Sequence, residues 1–317
     1  MAKIPIVELS SGAKMPGLGF GTFSHENATG ETHRAVMAAL EAGYRHIDTA
    51  WSYYNEHEVG SAVHEFLSKH PEVKRSDIFI TTKVWVHLYE PEDVEWSLND
   101  SLKNLGEEYV DLLLLHWPFA AERTDDYKVK FTPDNKYIVK KELTANLEPT
   151  WRAMEKLYEQ GKAKSIGVSN FSIKQLEAVA KYAKIPPAVN QIEIHPYLPN
   201  DELVLYCLSH NIAPVAYSPL GTAPNPREKR ERVTDNKELN EIAHKNGITL
   251  AQLLIAWGIR RGYSVIPKSA NEKRIRSNFD LVDLSDLAFE AVNSVAKGRH
   301  DRFVALVDFF GYDVWNE

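Results

Sequence analysis

Short runs of apolar and β-branched residues recur along the chain, each followed by a longer stretch whose apolar positions return every three or four residues. The first kind of run reads as a buried strand and the second as an amphipathic helix with one face turned inward. In chain order the strand-like runs are Gly17 to Phe20, Arg45 to Asp48, Ile78 to Thr82, Val110 to His116, Ser165 to Val168, Ala188 to Gln191, Ala213 to Tyr217 and Ser264 to Pro267. The helical stretches between them include Glu31 to Ala42, Glu56 to Ser68, Pro91 to Leu105, Pro149 to Gln160, Ile173 to Lys181, Asp201 to His210 and Lys237 to Lys245. Gly43, Gly106, Gly161 and Asn211 stand where helices of this kind stop, because both residue types tolerate the left-handed backbone of a C-cap. A strand-then-helix rhythm of this sort predicts parallel strands joined by helical crossovers, hence an α/β protein. No linker or shift in composition interrupts it, so the expectation is one domain over residues 1–317. Eight strands in an unbroken series favour a closed (β/α)8 TIM barrel over an open doubly wound sheet.

Two segments break the rhythm, Phe119 to Leu147 and Gly221 to Asp235. Each follows a strand, which places it at the carboxyl-terminal face of a barrel, where loops build sites; both are expected lids. The tail from Gly298 carries Phe309, Phe310, Tyr312 and Trp315 and is expected to fold back over an apolar part of that face.

At that face, polar residues interrupt the apolar runs. Asp48 closes the second strand, Lys83 follows Ile-Phe-Ile-Thr-Thr, His116 follows four leucines and Gln191 ends Ala-Val-Asn. Ser169 and Asn170 follow Ile-Gly-Val, Tyr217 and Ser218 follow Pro-Val-Ala, and Lys268 and Ser269 follow Val-Ile-Pro. In a parallel barrel all strands end on one side, so these groups converge. A tyrosine beside a lysine that an aspartate holds makes a proton donor, since a nearby cation stabilises the phenolate and lowers its pKa. Tyr53, just beyond Asp48, is placed for that part, with His116 near enough to orient a carbonyl.

The segments Gly43-Tyr-Arg-His-Ile-Asp-Thr-Ala-Trp-Ser-Tyr-Tyr-Asn-Glu56, Ile166-Gly-Val-Ser-Asn-Phe171, Asn190-Gln-Ile-Glu193 and Ile266-Pro-Lys-Ser269 resemble the aldo-keto reductase family, in the family's order from Val7 to Phe279. Within the family the look is that of fungal aldose or xylose, glycerol and uronate reductases. The resemblance implies a catalytic tetrad of Asp48, Tyr53, Lys83 and His116, with Tyr53 as general acid. It implies that Ser169, Asn170 and Gln191 hold the nicotinamide carboxamide of a bound NADPH, that Tyr217 stacks on the nicotinamide, and that Thr22 and Phe23 also bind the cofactor. Ser218 and Leu220 fall where the pyrophosphate lies, and Lys268, Ser269, Arg274 and Asn278 where the adenosine 2′-phosphate and adenine are gripped. A phosphate needs cations and donors, which Lys268 and the planar Arg274 fork supply, so NADPH is favoured and NADH is a weaker alternative. Phe23, Trp85 and Trp117 match the substrate pocket, although Phe23 stands where many relatives have tryptophan. Arg299 and Arg302 in the tail are candidates to meet a substrate carboxylate. The reaction implied is reduction of the aldehyde of a polyhydroxy aldehyde, an aldose or a uronate such as galacturonate. Oxidation of glycerol or another alditol, or NADPH binding without turnover, are the competing readings.

Composition narrows the remainder. A formal charge of −7 offers no general attraction to nucleic acid or anionic lipid. Cys207 is the one cysteine, so no intramolecular disulfide forms. No leader-like start and no apolar run of spanning length is present, which makes the cytosol the expected compartment. No metal is expected, for want of a clustered ligand set, and the chain is expected to act on small carbonyl compounds as a monomer or homodimer. The glycines of Gly17-Leu-Gly-Phe-Gly21 do not make a dinucleotide fingerprint, lacking the third glycine at the right spacing and an immediate helix.

Overall fold

A computed structural model describes residues 2–24, 28–222 and 230–315 of the chain. It opens with a short antiparallel hairpin, β1 (Ile6–Glu8) and β2 (Lys14–Pro16). There follow eight parallel strands: β3 (Phe20–Gly21), β4 (His46–Asp48), β5 (Phe79–Val84), β6 (Leu112–Leu115), β7 (Ile166–Ser169), β8 (Val189–Glu193), β9 (Ala213–Tyr217) and β10 (Ser264–Val265). Each pairs with its neighbours in sequence. The crossovers carry α1 (Glu31–Ala42), α2 (Glu56–Lys69), α3 (Pro91–Leu105), α4 (Lys141–Ala145), α5 (Glu148–Glu159), α6 (Ile173–Ala180), α7 (Asp201–Ser209), α8 (Lys237–Lys245) and α9 (Leu250–Arg260). After β10 come α10 (Glu272–Phe279), α11 (Asp286–Ala296) and α12 (Val307–Phe310). All four expected helix stops, Gly43, Gly106, Gly161 and Asn211, have left-handed backbone.

The expected first strand is corrected in an informative way. Only Phe20 and Gly21 pair with β4; the preceding residues turn to the last strand, through a parallel bridge from Leu18 to Val265 and a bond from Gly19 N to the Val265 carbonyl at 2.9 Å. This split pairing closes the barrel. Gly19 is required by the closeness of the seam, where a Cβ would stand 2.7 Å from Nδ1 of His46 and 2.9 Å from Ile266. Glycine here serves backbone approach, not phosphate binding.

Alternation along the strands divides the core in two. Phe79, Leu112, Leu114, Val189, Val215 and Ile266 fill the barrel, with Leu9 and Met15 of the hairpin packed beneath them. Their sequence neighbours Ile80, Leu113, Ala216 and Val265 belong to the larger layer between strands and helices. The hairpin was not anticipated, because three-residue strands carry too little periodicity to be read. Helix α9 was missed for the opposite reason: Leu253 through Gly258 are all buried, which leaves no polar stripe to set a period.

The 119–147 segment is partly ordered by antiparallel bridges, Ala121 with Val139, Arg123 with Val129 and Phe131 with Tyr137. The tail folds against it as expected: Phe310 is fully buried, its ring 5.1 Å from that of Trp117 and 4.9 Å from that of Phe119. Of the second expected lid, residues 223–229 lie outside the described residues.

Candidate active site

The inward-facing register continues upward from the apolar filling to the polar strand ends. On β5 the inner face runs Phe79, Thr81, Lys83; on β6 it runs Leu112, Leu114 and then His116; on β8, Val189, Gln191, Glu193. The same alternation puts Asp48, Ser169 and Tyr217 at the mouth, so the period of two along each strand is the physical cause of the cluster.

Lys83 is its centre. Its ammonium is buried and donates to Oδ1 of Asp48 at 2.6 Å, to the Thr49 carbonyl at 2.8 Å and to the Tyr53 hydroxyl at 3.4 Å. Burial works against this charge, but Asp48 and Tyr53 overcome it and hold the Lys83 pKa above its ordinary value. The second oxygen of Asp48 accepts from Nε2 of Gln191 at 2.6 Å. Asp48 is thus fully engaged by two donors from different strands.

Tyr53 lies half-buried on the short turn after β4, with Phe23 edge-on at 5.1 Å and His116 at 5.7 Å between ring centroids. Two neighbours hold its loop: Asn55 donates to the Thr22 carbonyl and to the Thr32 hydroxyl, and Thr22 donates to the Asp48 carbonyl. The expected lowering of the Tyr53 pKa is corrected. Burial raises it more than the Lys83 cation lowers it, with Asp48 adding to the rise, so the phenol is protonated at neutral pH. Lys83 pulls in the anticipated direction without prevailing.

His116 is also buried, beneath Trp85 at 4.8 Å. Burial and then Lys83 push its pKa well below the ordinary value, so its imidazole is neutral. Its Nδ1 has no hydrogen-bond partner among the described residues. A buried polar atom in that state usually awaits a ligand or water.

A second polar group adjoins the first. Tyr217 donates to Oδ1 of Asn170 at 2.7 Å, Asn170 donates to the His116 carbonyl at 3.0 Å, and Ser169 donates to the Gln191 carbonyl at 2.8 Å. Ser218 has left-handed backbone and, like Leu220, is half-buried beyond Tyr217. Lys268 reaches the same side, exposed, with its ammonium 3.9 Å from Glu31. Ser269 and Asn278 are buried nearby in sequence, while Arg274 is exposed in the first turn of α10.

The substrate-pocket candidates separate. Phe23, Trp85 and Trp117 gather around Tyr53 and His116, directly or through Phe310. Arg302 is buried with its guanidinium 3.7 Å from the Trp315 ring centroid, near enough to Tyr217 to oppose the rise that burial causes in that phenol. Arg299 stacks on Tyr197 at 3.7 Å and lies 3.9 Å from Asp301; among the described residues it touches no member of the tetrad. Sequence reasoning missed Glu56 and Glu193, two buried carboxyls that stand at the start of a helix and at the end of a strand without breaking either pattern.

Residues 17–297 match the family model described as the aldo/keto reductase family. One relative, a glycerol 2-dehydrogenase (NADP(+)) of Hypocrea jecorina, is 57% identical over 98% of this chain and 97% of its own length. A D/L-glyceraldehyde reductase of the same organism is 40% identical over 92% of this chain and 87% of its own. Among solved structures, an aldose reductase of Giardia lamblia superposes with a TM-score of 0.86 at 37% identity, covering 94% of this chain and 98% of that one. With a tyrosine, a lysine, an aspartate and a histidine gathered at a parallel barrel's mouth and the match running almost end to end, the chain belongs to the aldo/keto reductase family of oxidoreductases.

Proposed function

We propose that the chain reduces the aldehyde of a small polyhydroxy compound to the alcohol with NADPH, Tyr53 supplying the proton. The observation that carries this is the line Asp48–Lys83–Tyr53 ending beside a neutral His116 whose Nδ1 has no hydrogen-bond partner among the described residues. The relatives named for glyceraldehyde and for glycerol support a three-carbon substrate or an aldose; a uronate is the less supported variant, since Arg299 is engaged elsewhere.

The donor set suits NADPH. Gln191 spends its amide nitrogen on Asp48 and keeps its carbonyl oxygen, Ser169 and Asn170 line up beside it, and the Tyr217 ring is half-buried at their edge. These are the groups for a carboxamide and an aromatic face, with Thr22 and Phe23 on the other flank and Ser218 and Leu220 further along. Lys268, Arg274, Ser269 and Asn278 would take the adenosine 2′-phosphate and adenine, which leaves NADH the weaker partner. When bound, NADPH supplies the hydride that adds to the carbonyl carbon.

The protein's own residues manage the proton. His116, being neutral, donates a hydrogen bond to the carbonyl oxygen without bringing a charge into the pocket. Burial keeps the Tyr53 phenol protonated until oxygen charge develops, and the O–H then passes its proton to that oxygen. The phenolate left behind is stabilised by Lys83, whose ammonium Asp48 and the Thr49 carbonyl hold in place. Proton uptake from solvent restores Tyr53. The same groups serve the reverse reaction, and the relative named as a glycerol dehydrogenase supports that second reading.

The test is NADPH consumption with glyceraldehyde, xylose and galacturonate, and NADP+ reduction with glycerol, by the parent and Tyr53→Phe. The variant is expected to lose turnover by about a hundredfold or more while NADPH affinity stays within about twofold. Residual activity above about a tenth of the parent would remove Tyr53 from the acid role.

A further inference from the structure

Glu193 takes no part in the chemistry above, yet it is fully buried at the mouth, two residues beyond Gln191 on the same face of β8. A buried carboxyl group is costly unless its oxygens are hydrogen-bonded. Both are: Oε1 accepts from the backbone N–H of Phe303 and Oε2 from that of Val304, each at 3.0 Å. His195 Nε2 lies 2.9 Å from Oε1, and the His195 ring stacks on Phe303 at 5.0 Å. Two successive N–H groups on the two oxygens of one carboxyl fix the direction of the tail as well as its position.

Beyond that grip the tail shapes the pocket. The chain runs through a left-handed Leu306 into α12 and delivers Phe310 to the wall formed by Trp85, Trp117 and Phe119. Trp85 is the ring that packs on His116. Among the described residues, Glu193 is the one side chain of the barrel strands bonded to residues 303–309.

We infer that Glu193 is a positioning residue that sets substrate selectivity by holding the carboxyl-terminal tail as a wall of the pocket, without itself touching substrate. The inference rests on the carbonyl-reducing function proposed above. Substrates that reach Trp85, which the buried Phe310 backs at 6.0 Å between ring centroids, depend on the clamp, and three-carbon substrates that stop at Tyr53 and His116 do not.

Glu193→Gln tests it, because the amide sets an NH2 against one of the two backbone N–H groups. The KM for benzaldehyde is expected to rise about tenfold, with the KM for glyceraldehyde and both kcat values within about twofold. Hydrogen exchange of the amides at 303 and 304 is expected to quicken about tenfold or more. Equal KM changes for both aldehydes, weaker NADPH binding alone, which would act through the ladder partner Tyr217, or unchanged exchange would each overturn the assignment. Should Glu193→Gln fail to fold, Val304→Pro removes one of the two donors without altering the barrel and must give the same KM split; its absence overturns the inference. If the parent turns over neither aldehyde, the proposed function fails while the exchange measurement still decides the clamp.

Discussion

Glu56 opens α2 three residues after Tyr53 and is buried behind β5, on the face opposite Lys83. It accepts a hydrogen bond from the Thr82 hydroxyl at 2.5 Å and another from Ser101 on α3. Burial dominates these bonds and the nearby Lys83 charge, and raises its pKa from 4.5 to about 7. The native state therefore holds the proton more tightly than the unfolded chain. Its contribution is fully present below about pH 4.5 and is lost as pH rises through about 7, because between those values the native state binds more protons than the unfolded one. A difference of roughly 2.5 pKa units at about 1.36 kcal/mol each corresponds to about 3 kcal/mol. Glu56→Gln keeps an acceptor oxygen for Thr82 and cannot ionise. Urea unfolding of parent and variant, followed by tryptophan fluorescence, should give similar stabilities near pH 5 and a gap near pH 8 of about 3 kcal/mol in the variant's favour. Subtracting the two curves cancels every other titrating group the proteins share. A gap that does not change with pH would refute the reasoning, since only the ionisation of Glu56 differs between them.

Two further outcomes are expected at the site. Asp48→Asn leaves the buried Lys83 ammonium facing only carbonyl and hydroxyl oxygens, and is expected to cost about 3–5 kcal/mol of stability by the same unfolding assay; an unchanged urea midpoint would argue that Lys83 needs no carboxylate. Replacing Lys268 and Arg274 together by alanine is expected to weaken NADPH binding about tenfold or more and NADH binding by no more than about twofold, measured by quenching of protein fluorescence; equal losses would remove the 2′-phosphate from that corner.

The run of relatives has a bearing on substrate. The dehydrogenase and the reductases reported above are named for glycerol, for glyceraldehyde and for aldoses, all of them polyhydroxy compounds.

Much of this protein was legible in the order of its residues, and for a local reason. Side chains alternate along a strand, so a polar residue ending an apolar run is displayed at the strand's carboxyl end wherever the strand goes; Asp48, Lys83, His116, Gln191 and Tyr217 could be named before any contact was known. The crossover order and the helix stops at Gly43, Gly106, Gly161 and Asn211 have the same local origin. The tertiary structure alone decided whatever depends on partners distant in sequence. The closing seam pairs Leu18 with Val265, and the hairpin's Leu9 and Met15 seal a barrel whose other residues lie far along the chain. The direction of the Tyr53 pKa turned on burial, which sequence does not measure, against a Lys83 cation, which it suggested. Glu193 read as one more residue after Gln191 until the fold brought Phe303 and Val304 onto its two oxygens, because a hydrogen bond spanning more than a hundred residues leaves no periodic trace in the chain.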